Sequence, residues 1–317
     1  MDEPQAPNGG GAQQTHRRVR PPEVSGVLNL DKPAGISSHD AVNRLRRITN
    51  QRRIGHTGTL DPTATGVLVL CLGQATRLAE YVAEARKVYR ATIRLGIDTS
   101  TWDSEGEVVA EADASGVTLA GIENALGAFE GRIQQVPPMY SALKHEGHPL
   151  YKLARRGQEV EREAREVTIY ALEIEAWRSP ELVLRIACSK GTYIRAIAHD
   201  LGVALGVGAY LAALRRLAVG AFTVEQAVSL DTLYAADHDN SWQRYLQPAG
   251  AAVAHMPSVI VDAQTVARIR YGQTVVLDAN PELGLHCAYQ ANGELLAILR
   301  HNADADVWQP TKVLSAA

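Results

Sequence analysis

The sequence is short of cysteine, of long apolar runs and of net charge, and each shortage removes a class of protein. Its three cysteines, Cys71, Cys188 and Cys287, are scattered and odd in number. That excludes a disulfide framework and fits a reducing compartment, with all three as packing residues. The longest apolar run, 67–72, is far too short to span a bilayer, and the N-terminus lacks the apolar stretch of a signal peptide. The expectation is a soluble, cytoplasmic protein with no membrane partner. No HxxxH, HExxH or CxxC spacing accompanies the histidines and acids of interest, so no metal centre is expected. A formal net charge of −3 does not announce a nucleic-acid binder, although whole-chain charge averages over the patches that matter. With 317 residues, 46% of them hydrophobic, the chain is long enough for one large domain and a small one. No internal repeat is present.

What is there begins with residues 55–66, a glycine-punctuated loop holding one carboxylate, Asp61, and running into the apolar stretch 67–70. Gly55, Gly58 and Gly66 permit positive φ and close backbone approach, while Pro62 fixes its own φ and biases Asp61 towards an extended conformation. The apolar run behind reads as a buried strand, so the loop is anchored to the core, where catalytic residues tend to sit. Asp-Pro is also a common turn initiator, and spacing alone leaves open whether the loop aims Asp61 or only turns a corner. A phosphate-cradling loop is disfavoured, because Val67 stands where its lysine belongs.

Taken in order, residues 1–24 are rich in Pro, Gly and Gln and are expected to form a disordered leader. A strand follows at 26–30. Ser38 is placed to cap a helix with Ala41, Val42, Leu45 and Ile48 on one face. Five arginines lie between 44 and 53 with no acid among them, enough to neutralise several phosphates or, equally, to complement a helix C-terminus from solvent. A helix is expected at 74–84. Residues 87–97 then alternate with period two, which puts Tyr89, Ala91, Ile93 and Leu95 on a buried face. A tyrosine there is by default a core residue with a satisfied hydroxyl. Residues 98–106 are polar and turn-like, a helix is expected at 117–129, and paired prolines suggest a rigid excursion at 136–144.

The segment 144–165 mixes Lys144, Lys152, Arg155, Arg156, Arg162 and Arg165 with acids and with His145, His148 and Tyr151. Such a mixture suits backbone tracking with base stacking, or a solvated charged helix. Strands at 167–177 and 182–188 make a hairpin, and Thr192 reads as the N-cap of a helix whose first turn carries Tyr193 and Arg195. A cation there opposes the helix dipole, so Arg195 is expected to meet an anionic partner such as Asp61. The stretch 211–219 continues as helix or strand, and 223–247 is polar and peripheral. Short strands at 258–261, 273–277, 287–290, 295–299 and 307–312, with a helix at 263–271, mark a small separate β domain.

Five stretches taken together resemble the bacterial tRNA pseudouridine-55 synthases of the TruB type. They are Gly-Val-Leu-Asn-Leu-Asp-Lys-Pro at 26–33, the loop at 55–66, Met-Tyr-Ser-Ala-Leu-Lys at 139–144, Cys-Ser-Lys-Gly-Thr-Tyr-Ile-Arg at 188–195 and Leu-Arg-Arg-Leu at 214–217. The likeness covers roughly 26–313, and the order and spacing of the stretches make it specific. It implies an α+β fold: a pseudouridine-synthase catalytic domain at 25–255 with a central mixed, largely antiparallel sheet and a thumb-like RNA-binding segment at 136–166. A small PUA-like β-barrel at 256–317 would follow.

The resemblance also implies the chemistry: isomerisation of a T-arm uridine of tRNA, without cofactor or metal, by a monomer with no obligatory protein partner. Carried over by motif, Asp61 is the catalytic aspartate, Arg195 its bidentate partner, and Tyr89 the tyrosine that stacks on the base and takes the C5 proton. Tyr193 and Leu214 frame the pocket, His56 fills the space left by the flipped uridine, and Lys32 is assigned to substrate binding. Attack of Asp61 on C1′, attack on C6 and proton abstraction from C2′ all remain open. Two other readings stand beside this one. A tRNA-binding or tRNA-folding chaperone needs the basic segments but not Asp61, Tyr89 and Arg195 together, and guide-directed relatives keep the chemistry but depend on accessory proteins.

Overall fold

The computed structural model describes residues 23–314 apart from 142, 146, 155, 159 and 238–240. Most of the expected leader, residues 142, 146, 155 and 159 of the thumb-like segment, and the side chains of Lys144, His145 and Tyr151 therefore lie outside the described residues.

The strands Gly26–Lys32 and Thr65–Leu72 pair antiparallel from Gly26↔Leu72 to Lys32↔Gly66. Both are buried along almost their whole length, and Thr65–Leu72 accordingly reads as a continuous apolar run rather than as alternation. They belong to a ten-stranded sheet. Its order runs Val228–Ser229, Gly26–Lys32, Thr65–Leu72, Ala209–Val219, Lys87–Leu95, Glu181–Cys188, Arg165–Arg178, Gly131–Gln135, with Ile54–His56 and Phe222–Thr223 attached at the side. All of its pairings are antiparallel except the outer one to Val228–Ser229 and the central one between Thr65–Leu72 and Ala209–Val219. That central junction spans only Arg215↔Thr65 and Arg216↔Gly66, so it forms a seam between two halves of the sheet.

Each half has its own cover. The helix Ser38–Thr49 packs Ala41, Leu45 and Ile48 against Leu28, Leu30, Leu68 and Leu70. Leu230, Leu233 and Trp242 belong to the same cluster, so 223–247 is structural rather than peripheral. Its polar residues hide a helix, Leu230–Asp237, which turns Leu230, Leu233 and Ala236 inward. On the other half, the helix Ile194–Ala204 sets Ile197, Ala198 and Leu201 against Tyr89, Ile93, Leu184 and Ile186.

The C-terminal region forms a four-stranded sheet of Ser258–Ile260, His286–Tyr289, Leu295–Asn302 and Val307–Val313, with the helix Ala263–Arg270 beside it. The stretch expected as a strand at 273–277 instead touches the sheet through a single bridge, Val275↔Trp308. This region has its own cluster around Trp308 and also shares one with the body, where Cys287, Leu295, Ile298 and Leu314 meet Val27, Val67 and Val69.

Two caps differ by one residue from expectation. Ser37, not Ser38, caps the first helix, in a capping box with Asp40. Tyr193, not Thr192, is the N-cap of Ile194–Ala204, and it offers no side-chain cap.

Of the loop glycines only Gly66 adopts a positive φ, at 99°. A Cβ there would lie 2.2 Å from the carbonyl oxygen of Arg216. Gly66→Ala is therefore expected to destabilise the fold by about 2–4 kcal/mol in urea unfolding, through strain and a clash at the seam. A loss under about 0.5 kcal/mol would show that the seam tolerates separation.

Candidate active site

The loop carrying Asp61 is gripped through its backbone. Relieved of capping, buried Ser38 accepts a hydrogen bond from Leu60 N at 2.8 Å and donates one to Leu60 O at 3.1 Å. Arg216 donates from Nη2 to Gly58 O at 3.0 Å and from Nη1 to Thr59 O at 3.4 Å. On the far side of Asp61, the carbonyl of Pro62 accepts from Gly35 N at 2.9 Å and from Lys32 Nζ at 3.3 Å. With the backbone held before and after it, Asp61 is the loop's one projecting charge, and 39% of its side chain stays exposed.

Lys32 was expected to bind substrate, and its placement corrects that. It is wholly buried, and its three ammonium protons go to the carbonyls of Pro33 and Ile36, each at 2.8 Å, and Pro62. Its ammonium is engaged by backbone carbonyls, one of them in the loop. Burial pushes its pKa down to about 8, against the pull of Asp61 and with a further push from Arg216.

Arg195 stands beside Asp61, with Nε 3.1 Å from Oδ2. Only 5% exposed, it also places Nη1 3.2 Å from Asp103 Oδ2 and 3.2 Å from the Thr101 carbonyl, and donates from Nη2 to Tyr140 O at 2.7 Å. The contact with Asp61 runs through Nε, while Nη1 and Nη2 also engage other groups. Burial raises the pKa of Asp61 above the usual carboxylate range; Arg195 opposes that shift most, and Asp103 reinforces it.

Asp103 was missed in the sequence. It is buried, and its Oδ1 accepts from Thr101 Oγ1 and from Glu105 N, the latter at 3.0 Å. Within Thr-Trp-Asp-Ser-Glu-Gly it reads as an ordinary turn residue. The signal that points to it is indirect: an arginine buried at a helix N-terminus asks for more negative charge than one half-open carboxylate supplies.

Tyr89 lies on the buried face of Lys87–Leu95, as its alternation predicted, and packs in one cluster with Leu60, Ala64 and Ile186. Burial pushes its pKa up, and Arg216 opposes this by charge and by a hydrogen bond. The charge of Asp61 pushes upward on the pKa of Tyr89, Tyr193 and Lys32 alike. Tyr193 is half-buried, and the Gln135 amide pins its backbone, accepting from its N–H at 2.8 Å and donating to its carbonyl at 3.0 Å. Leu214, half-buried, packs against the Tyr89 cluster.

His56 ends the strand Ile54–His56, half-buried. Burial first, then Arg216, push its pKa down, so its imidazole is neutral at neutral pH, and Nδ1 is buried with no hydrogen-bond partner among the described residues. Of the clustered arginines, Arg46 donates to the carbonyls of Arg52 and Ile54 and so holds its own turn, while Arg47 and Arg52 project into solvent. No helix among the described residues is long and apolar enough to cross a membrane.

Comparison with known proteins bears directly on this geometry. The family model described as TruB family pseudouridylate synthase (N terminal domain) matches residues 46–194, and that for the tRNA pseudouridylate synthase B C-terminal domain matches 195–254. The chain is 47% identical over 283 residues to the tRNA pseudouridine synthase B of Burkholderia mallei, covering 87% of this chain and 93% of that one. Its counterpart in Dehalococcoides mccartyi is 43% identical over 290 residues, covering 92% and 96%. Among solved structures, an H/ACA RNP bound to a substrate RNA containing 2'-deoxyuridine superposes with a TM-score of 0.70 at 26% identity, covering 92% of this chain and 85% of that one. An archaeal box H/ACA sRNP Nop10-Cbf5 complex gives 0.67 at 27% identity, with coverage of 92% and 85%.

The buried ammonium of Lys32 has a pH signature. Between about 8 and the ordinary 10.5 the unfolded chain holds a proton at this residue that the folded chain does not, so its contribution to stability rises with pH across that window. The stability of the wild type minus that of Lys32→Met, from urea unfolding, is expected to grow by about 1–2 kcal/mol from about pH 7.5 to about pH 9.5. A difference independent of pH would contradict the lowered pKa of the buried Lys32.

Proposed function

We propose that this chain, which belongs to the TruB family of pseudouridylate synthases, isomerises the T-arm uridine at position 55 of transfer RNA to pseudouridine. The observation that carries the reading is the Asp61–Arg195 pair at the sheet seam, a half-open carboxylate held against a buried guanidinium. A binding module or folding chaperone has no use for that arrangement, whereas a reaction at the glycosidic carbon does. The N1–C1′ bond breaks and C1′ rejoins the same base at C5, and a carboxylate can serve as nucleophile or base and then leave. Arg195 favours the ionised form of Asp61, against the burial that disfavours it, and holds it in place.

In this reading Tyr89 stacks on the uracil and takes the C5 proton, while Leu214 and Tyr193 frame the base and exclude water from a hydrolysable intermediate. The uridine reaches Asp61 only by flipping, and the neutral imidazole of His56 fills the space it leaves. Residues 25–255 act as the catalytic domain, with 136–166 as a thumb-like RNA contact and 256–317 as a PUA-like RNA-binding unit. Identity of 47% to a relative named for tRNA, against 26% to the H/ACA particle, supports unguided action on tRNA without an obligatory protein partner.

Asp61→Asn is expected to lower pseudouridine formation in a T-arm stem-loop by more than about 10³-fold while RNA affinity changes by less than about threefold. Turnover near the wild-type rate would overturn the assignment. Affinity for tRNA is further expected to fall as salt rises, through Arg47, Arg52 and the basic residues of 144–165, and filter binding over a salt series would reveal a flat line if phosphate contacts were unimportant.

A further inference from the structure

The mechanism above gives the buried cation Arg216 no task beyond gripping the loop. Arg216 is 2% exposed, yet its hydrogen-bond partners are backbone carbonyls rather than carboxylates. Nε donates to Val67 O at 2.7 Å, Nη2 to Gly58 O at 3.0 Å and Nη1 to Thr59 O at 3.4 Å. It faces Tyr89 directly across the antiparallel pairing of Lys87–Leu95 with Ala209–Val219, which sets the two side chains on one face of the sheet, and its charge opposes the upward push of burial on the phenol. A guanidinium keeps its charge in any protein environment, so removing it from water without a carboxylate is costly. Carbonyls alone would be held as well by a neutral amide. A permanent positive charge against a phenol oxygen is what only an arginine supplies here.

We propose that Arg216 is a positioning residue for the C5 proton transfer, holding the Tyr89 oxygen in place and stabilising it as a phenolate. The inference rests on the reading that Tyr89 takes the C5 proton. In that step the C5–H bond breaks, its electron pair closes the C5=C6 bond as the C6=N1 double bond opens onto N1, and the proton passes to the phenolate oxygen. Tyr89 gives one proton to N1, the ring nitrogen freed from ribose, so it ends the cycle as the phenol it began. Arg216 donates throughout and never changes protonation. Because the same guanidinium grips Gly58 and Thr59, it ties the proton acceptor to the loop that carries Asp61.

The test separates this role from support of the loop. Full-length protein is given a T-arm RNA labelled with tritium at uridine C5, whose release reports the proton transfer. In parallel it is given the same RNA with 5-fluorouridine, in which fluorine cannot leave as a proton does, so only the earlier bond-breaking steps are read. Arg216→Gln and Arg216→Lys are each compared with Tyr89→Phe and with the wild type. The ratio of tritium-release rate to fluorouridine-processing rate is expected to fall by about 100-fold in Arg216→Gln, within the range of general acid–base effects, and less in Arg216→Lys, which keeps the charge. Damage confined to the loop slows both reactions and leaves the ratio unchanged, which would overturn the proposal. If Arg216→Gln does not fold, the ratio in Arg216→Lys decides alone: a fall supports the role and an unchanged ratio contradicts it. If Tyr89→Phe leaves the ratio unchanged, the reading of Tyr89 itself fails; if Tyr89→Phe lowers it and neither Arg216 variant does, only the present inference fails.

Discussion

Four segments far apart in the chain meet on the guanidinium of Arg195. The loop sends Asp61, the turn after Ile97–Thr99 sends Asp103 and the Thr101 carbonyl, the proline-rich excursion sends the Tyr140 carbonyl, and the helix Ile194–Ala204 sends the arginine itself. The charge stands in the first turn of its helix, where the dipole repels it, and only 5% of the residue is exposed. Burial and the dipole both disfavour the charge, and two carboxylates and two carbonyls surround it. Removing any one leaves the others solving the same electrostatic problem with fewer groups.

Around that hub the protein uses buried cations in a second way. Lys32 and Arg216 meet mostly backbone carbonyls rather than acids, and they grip the loop at Gly58, Thr59 and Pro62. Carbonyl grips hold the backbone without neutralising or competing for Asp61. A charged side chain on a loop is thereby given the fixed direction of one on a strand, the preorganisation that catalysis at a buried base requires. The close approach of Gly66 to Arg216 joins the two halves of the sheet at the point where these groups converge.

Much of this was legible in the sequence, and the exceptions share a cause. Period-two alternation placed Tyr89 on the buried face, and an arginine set against its own helix dipole pointed to Asp61 as a partner. Both signals are local. Asp103, Arg216 and the structural role of Lys32 depend on contacts between distant segments, and each residue looks like ordinary surface chemistry in its own stretch: an acid in a polar turn, a basic pair on a strand, a lysine before proline. The helix Leu230–Asp237 was concealed likewise, since its three buried residues are diluted among polar ones. The caps at Ser37 and Tyr193 were displaced by one residue because Ser38 is drawn to Leu60 and the backbone of Tyr193 is taken by Gln135.

The account of this pseudouridine synthase turns on Arg195 acting through its planar fork as well as its charge, since one atom faces Asp61 while others engage Asp103, Thr101 and Tyr140. Arg195→Lys keeps the charge and loses the fork. Single-turnover pseudouridine formation on unmodified tRNA, measured beside tRNA affinity, is the direct test. The predicted result is a rate at least about 100-fold below wild type with affinity changed by less than about threefold. A rate within about threefold of wild type would contradict the account.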